Sequence, residues 1–310
     1  MQVILGANGI IGEELAKALR SNYTKEIKLV GRNPKKVHID DILFKGDLLQ
    51  AKDVHNAVEN AKIAYLTVGL PYRSKIWLRD WPIIMKNVIS GCKKNNCKLV
   101  YFDNTYAYPQ DSKIQKEDTP LQPKGKKGEA KRIAAELLLN AINNKEINGV
   151  ICRAPEFYGP DKTKGITNTL IFDALKANKK PKVFLKDNVL RTFIYTPDAS
   201  KAMALIGNTP DTYGQTWHLP CDENRLTYKE IIEQISLQLD RKITYNTLGG
   251  FILKVASIFN QNIRETQELL PRYKIDNIFD SSKFKNRFPD FKITSYQQGI
   301  SNIIKDYKIR

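Results

Sequence analysis

Histidine and cysteine are scarce, with three and four copies in 310 residues. Cys92, Cys97, Cys152 and Cys221 form no C-x-x-C pair, and His38, His55 and His218 are scattered, so no metal site is expected. Unpaired thiols suit a reducing compartment, and a cytoplasmic location is expected. No run of about 18 apolar residues occurs, which excludes a transmembrane helix; no membrane partner is expected. The first apolar stretch, "VILGANGIIG" from Val3, follows no basic segment and is broken by glycines, unlike a secretory leader. Acidic residues are few: 33 against 50 basic, a net charge of +17. That excess suits anionic partners. The usual nucleic-acid recognition motifs are missing, however, and the lysine-, asparagine- and isoleucine-rich composition follows AT-rich codons. A diffuse surface charge with no specific nucleic-acid partner is expected. Repeats and low-complexity linkers are also missing.

What is present is alternation. "QVIL", "IKLV", "IAYLTV", "KLVYF" and "GVICR" read as strands. Between them "IGEELAKALR", "AKDVHNAVEN", "WPIIMKNVISGCKKNN" and "KGEAKRIAAELLLNAINN" read as helices, the last with apolar positions at 133, 137, 138 and 141. Strand-helix repetition predicts an α/β fold with a parallel sheet and helices on both faces. Strands this apolar are buried on both sides. Beyond about residue 165 the pattern loosens: "VLRTFIY" is a strand candidate, and "PDASKAMALI", "TYKEIIEQISLQL", "FILKVASIF", "IRETQELLPRY" and "SYQQGISNIIKDY" are helical. We expect a doubly wound sheet over 1–165, completed by about 188–208, and a smaller substrate lobe from 166–187 and 209–310.

"GANGIIG" directly follows the first strand and opens a helix. Gly6 permits a tight turn, Gly9 lets the backbone approach a pyrophosphate, and Gly12 lets helix and strand pack closely. Amides at the helix start, around Asn8, Ile10 and Ile11, then bind phosphate. The end of the second strand selects the cofactor. An acid there would take the ribose 2′-hydroxyl of NAD, but the sequence is "VGRNPKK". Arg32, beside Asn33, suits a 2′-phosphate, so NADP(H) is favoured over NAD(H); otherwise Arg32 is a solvated turn residue.

These residues resemble the short-chain dehydrogenase/reductase superfamily, in its extended and atypical branch of epimerase/dehydratase-like members. The resemblance implies that Asp47 and Leu48 of "GDLLQAKDV" flank the adenine. It implies that Thr67, Val68 and Gly69 of "YLTVG" line the cofactor, and that Pro155 and Phe157 of "CRAPEFYGP" lie beside the nicotinamide. "RTFIYTPDASKAMALI" resembles the family's later strand-helix pair. The catalytic motif departs from the family. Its Y-x-x-x-K would transfer a proton with the tyrosine and hold the nicotinamide ribose with the lysine. Aligning "PKGKKGEAKRIAAE" sets Lys131 on the lysine but Lys127 on the tyrosine, and "FDNTYAYP" sets Asn104 on the family serine.

"KGKKGEAK" carries four lysines in eight residues, 124–131. Lys127 and Lys131 share a helix face, and mutual repulsion or burial would lower at least one pKa. A lysine driven toward neutrality can act as acid or base; otherwise Lys124, Lys126 and Lys127 form a solvated helix start. Tyr108 is another proton donor. Tyr72, Arg73, Trp77, Tyr106 and Tyr158, all following strands, are substrate-pocket candidates, or else packing aromatics. The expected function is an NAD(P)-dependent reductase or epimerase/dehydratase-like enzyme for a small polar carbonyl or sugar-type substrate, monomeric or homodimeric. The alternatives are a non-catalytic NADP-binding regulator and a basic nucleic-acid-binding protein on a Rossmann scaffold.

Overall fold

The computed structural model describes residues 1–160 and 163–309. Its strands in chain order are β1 (Gln2–Leu5), β2 (Ile27–Gly31), β3 (Ile42–Lys45), β4 (Ile63–Leu66), β5 (Lys98–Asn104), β6 (Gly149–Ala154), β7 (Glu156–Tyr158), β8 (Lys182–Phe184), β9 (Phe193–Tyr195), β10 (Thr216–His218) and β11 (Asn246–Leu248). The α-helices are α1 (Ile10–Asn22), α2 (Ala51–Val58), α3 (Ser74–Lys94), α4 (Lys126–Asn143), α5 (Asp173–Lys176), α6 (Thr196–Gly207), α7 (Tyr228–Gln238), α8 (Gly250–Phe259), α9 (Gln261–Thr266), α10 (Ser282–Arg287) and α11 (Tyr296–Tyr307).

The chain divides into two compact units. The first comprises Met1–Ala107, Leu121–Ala154 and Ala199–Leu219. It holds a seven-stranded parallel sheet in the order β10-β6-β5-β4-β1-β2-β3. The chain leaves β1 in one direction and returns to continue through β4, β5 and β6 in the other. Right-handed crossovers therefore put α1 on one face and α2, α3 and α4 on the opposite face. This is the expected α/β fold. β1, β4 and β6 are buried along their whole length, as their unbroken apolar runs predict. β3 is an exposed edge strand, and its "ILFK" is not among the sequence-predicted strands.

The core of this unit lies between the sheet and α2–α4. It includes Val3, Leu5, Val54, Trp81, Met85, Val88, Leu99 and Leu138. The buried stripe of α4 differs from the sequence expectation. Ile133 and Leu137 are only half-buried, whereas Lys127, Lys131, Ala134, Ala135, Leu138 and Ile142 face inward. Alanines admit close packing against α3, so the larger aliphatic side chains are displaced to the flank. The same stripe, followed toward the N-terminus, buries both lysines.

The second unit comprises Tyr108–Pro120, Pro155–Asp198 and Pro220–Arg310. It contains two parallel strand pairs, β7 with β9 and β8 with β11. Its core is aromatic: Tyr158 packs on Phe193, Tyr195 and Tyr296. Beside them a buried Arg191 guanidinium lies 2.6 Å from the Glu156 carboxylate, whose other oxygen accepts from Thr167, Tyr228 and Tyr273.

Candidate functional site

The turn after β1 requires its glycines. Gly6 has φ +98, and a Cβ there would collide with the backbone of Val68. A Cβ on Gly12 would stand 2.8 Å from the Ala7 Cα. On Gly9 it would meet only the Gly6 carbonyl, 3.9 Å away, so space lies open beside the helix start. The open position is the one the phosphate argument needs. Gly9 is the N-cap of α1; Ile10 begins the helix and Ile11 packs inward. Asn8 ties the loop to the end of β2: its amide donates to the Asn33 carbonyl at 2.6 Å and its oxygen accepts from Lys35 N at 3.2 Å. Arg32, at that same strand end, is exposed. The Thr67 hydroxyl donates to the Leu5 and Gly6 carbonyls at 3.3 and 3.4 Å, so the end of β4 borders the loop, with Val68 half-buried and Gly69 exposed. Asp47 accepts from Leu49 N at 3.0 Å, which shapes the entry to α2 around buried Leu48. The barred positions at Gly6 and Gly12 and the open space at Gly9 therefore fit a phosphate at the start of α1.

The second cluster lies at the end of β5. Gly128 lets the first turn of α4 touch the Tyr106 carbonyl, where any Cβ would clash. That contact sets Lys131 against β5. Its ammonium lies 2.9 Å from the Asp103 carboxylate, bonds the Tyr101 hydroxyl, and stands 3.9 Å from the Trp81 ring centroid. Arg153, on β6, reaches the same carboxylate at 3.0 Å. All three charged residues are buried. Burial lowers the Lys131 pKa, opposed by Asp103, while Arg153 adds to the lowering. The repelling cation is thus Arg153, where the sequence suggested Lys127. Asp103 keeps its carboxyl below the usual range because the two cations outweigh its desolvation.

Lys127 is also buried, not solvated, but it faces a different set of groups. Its ammonium donates to Ser74 Oγ at 3.1 Å and stands 4.4 Å from the Tyr72 ring centroid. The Tyr72 hydroxyl is 3.4 Å from that of Tyr106, and Trp77 stacks on Tyr106 with centroids 5.6 Å apart. The structure thus brings together Tyr72, Trp77, Tyr106 and Lys127. Arg73 turns back onto the Tyr72 carbonyl at 2.9 Å, at the N-cap of α3. Asn104 accepts from Tyr106 N at 3.1 Å, so its oxygen closes the turn after β5.

Four sequence-selected residues, Tyr108, Pro155, Phe157 and Tyr158, belong to the second unit. Tyr108 is buried, with its hydroxyl donating to the Lys116 carbonyl at 2.9 Å. Tyr158 is an aromatic core residue whose pKa is raised by burial. The sequence reading passed over Asp103, Tyr101, Trp81 and Ser74. An aspartate inside the apolar strand "LVYFDN" was the available signal, since a buried carboxylate needs a partner.

The model of the NAD dependent epimerase/dehydratase family matches residues 2–219. No curated protein matches the chain in sequence. Among solved structures, UDP-glucuronic acid 4-epimerase from Bacillus cereus, in complex with UDP-glucuronic acid and NAD, superposes with a TM-score of 0.81 at 17% identity, covering 99% of both chains. The dTDP-glucose 4,6-dehydratase of Bacillus anthracis, in complex with NAD, gives 0.78 at 17% identity over 99% of this chain and 96% of that one. UDP-N-acetylglucosamine 4-epimerase from Methanobrevibacter ruminantium gives 0.80 at 16% identity over 99% and 97%.

Proposed function

Because the chain belongs to the NAD dependent epimerase/dehydratase family, we propose that it is an NAD(P)-dependent oxidoreductase or epimerase/dehydratase-like enzyme acting on a small polar carbonyl or sugar-type substrate. The observation that carries this reading is the glycine cradle, in which side chains are barred at Gly6 and Gly12 while space is open at Gly9. When bound, the nicotinamide group supplies hydride transfer. The chain's own residues do the rest. First-turn amides of α1 hold the pyrophosphate, Asp47 and Leu48 border the adenine, and Arg32 with Asn33 takes the 2′-phosphate of NADP. Lys131 stands where the resemblance puts the lysine that holds the nicotinamide ribose; its ammonium pairs with Asp103, bonds the Tyr101 hydroxyl and packs on the Trp81 ring.

The proton falls to a different residue than in a tyrosine-containing site. Lys127 stands at the tyrosine position and is poised between Ser74 and Tyr72. It donates a proton to the substrate oxygen as that oxygen gains charge, or the Tyr106 hydroxyl does so in its place, while Asn104 orients the oxygen with its amide. The aromatic wall of Tyr72, Trp77 and Tyr106 suits a ring or planar carbonyl. Titration with NADPH and NADH, followed by turnover on a panel of aldehydes, ketones and keto-sugars, tests the reading. Cofactor binding with turnover that falls in Lys127→Ala supports it. Failure to bind either cofactor would refute it. Tight cofactor binding with no turnover on any substrate would favour the second reading, a cofactor-occupied regulator, for which the replaced tyrosine and serine are the supporting observation.

A further inference from the structure

Helix α8, "GFILKVASIF", is inverted in polarity. Leu253 is its one buried residue. Phe251 and Phe259 are 81% and 86% exposed, and Ile252, Val255 and Ile258 are exposed with them. At 3.6 residues per turn these five side chains fall within an arc of about 120°. A continuous apolar stripe thus faces solvent, and stripes of this kind mark interaction surfaces. The helix is held by Gln267, which donates to the Leu253 carbonyl at 3.1 Å, and by Arg264, which donates to the Ser257 and Ile258 carbonyls.

The chain enters α8 straight from β11, which pairs with β8. The two segments that form this pair and lead into the helix, 179–187 and 240–254, carry seven basic residues and two acidic ones, Asp187 and Asp240, of which Asp187 accepts from the Tyr245 hydroxyl at 2.6 Å. Lys179, Lys180, Lys182 and Lys186 come from the first segment and are all exposed. Arg241, Lys242 and Lys254, from the second, are exposed too. Lys254 lies on the helix itself, at the border of the stripe.

From this juxtaposition we infer that α8 docks the protein onto an anionic lipid surface, with the apolar stripe entering the headgroup boundary and the basic ribbon beside it meeting lipid phosphates. A helix with one apolar face and basic neighbours lies in the membrane interface without crossing it; among the described residues no helix is long and apolar enough to cross. A second copy of the chain is a poorer occupant, because joining two such patches would bring fourteen like charges together. A nucleic acid would satisfy the lysines but leave the aliphatic stripe without a partner.

Co-flotation with phosphatidylcholine vesicles, with and without about 30% phosphatidylserine, tests this. The full chain should float with the anionic vesicles and not with the neutral ones, and binding should weaken as salt approaches about 0.5 M. Phe251→Ser with Phe259→Ser should lower partitioning by about 100-fold. Lys182→Glu with Lys254→Glu should abolish it. In case the double serine variant folds poorly, Phe259→Trp gives an independent readout. The native Trp77, Trp81 and Trp217 are buried, so an indole at the exposed position should shift its emission to the blue on anionic vesicles only. Three results would each overturn the inference: no flotation on anionic vesicles at low salt, vesicle binding untouched by the phenylalanine changes, or a dimer in solution that those changes dissociate while vesicles are ignored. Duplex DNA bound at physiological salt and lost in the phenylalanine variant would reassign the surface to nucleic acid.

Discussion

Each unit buries a carboxylate against a buried arginine, but the two arrangements differ in their other partners. In the second unit Glu156 meets Arg191 alone, and three hydroxyls, from Thr167, Tyr228 and Tyr273, satisfy its remaining oxygen. The Arg191 guanidinium also stacks 4.1 Å from the Tyr273 ring centroid. In the first unit Asp103 meets two cations, Lys131 and Arg153. A balanced, fully bonded pair is a structural device. A carboxylate that faces two cations is a different arrangement, and burial lowers the Lys131 pKa within it. The comparison therefore sets a cluster that holds the fold beside one that the proposed function assigns to the site.

The largest expected effect would break the balanced pair. Arg191→Met leaves the Glu156 charge buried and uncompensated, which should cost about 3–5 kcal/mol of stability. The double variant Glu156→Gln with Arg191→Met should recover much of that loss, because the remaining groups are neutral. Denaturant unfolding of the single and double variants measures both. A single variant as stable as the wild type would show that the pair does not hold the second unit.

Removing one cation from the other cluster should behave differently. Lys131→Met leaves Asp103 still paired with Arg153, so stability should stay within about 1 kcal/mol of the wild type. Cofactor affinity should nevertheless fall by about 10- to 150-fold, the worth of a charge-assisted hydrogen bond. Calorimetric titration beside thermal melting reads both quantities. Arg32→Ala should be milder, about tenfold against NADPH because the residue is exposed and its charge is screened, with NADH unchanged. Equal affinity of the wild type for the two cofactors would remove Arg32 from the site.

Much of this contrast was hidden in the sequence for identifiable reasons. The glycine loop was legible because its backbone geometry admits no other residue at Gly6 and Gly12. The sheet was legible because strands buried on both faces must be apolar throughout. Lys127 and Lys131 were harder to place. Lysine is ordinarily an exposed residue, and the alanine positions that extend their stripe carry little hydrophobic signal. Asp103 sits among apolar neighbours, and only its partners, 28 and 50 residues further along, account for it. Glu156 and Arg191 are 35 residues apart and meet because two three-residue strands pair, which no local pattern announces. The exposed stripe of α8 shows the converse failure: its apolar residues predicted a helix but not that the face would be left in solvent.

The smallest effect expected is the pH dependence that Lys131 contributes. Arg191 is pushed further up by Glu156 and stays charged at any usable pH, so its own titration adds no slope. Lys131 is lowered in the folded chain, whereas in the unfolded chain it titrates near about 10.4. Between those two values the unfolded state holds the proton and the folded state has released it. Stability attributable to Lys131 therefore rises with pH across that window, and below the folded pKa its burial remains a cost. Asp103 is lowered as well, so its contribution is full above about pH 3.9 and is lost as pH falls through its folded pKa. The wild type minus Lys131→Met difference in unfolding free energy, measured from neutral pH to about pH 10, isolates the lysine from the other titrating groups. The wild type should gain on the variant as pH rises. A flat difference would mean that Lys131 is not lowered.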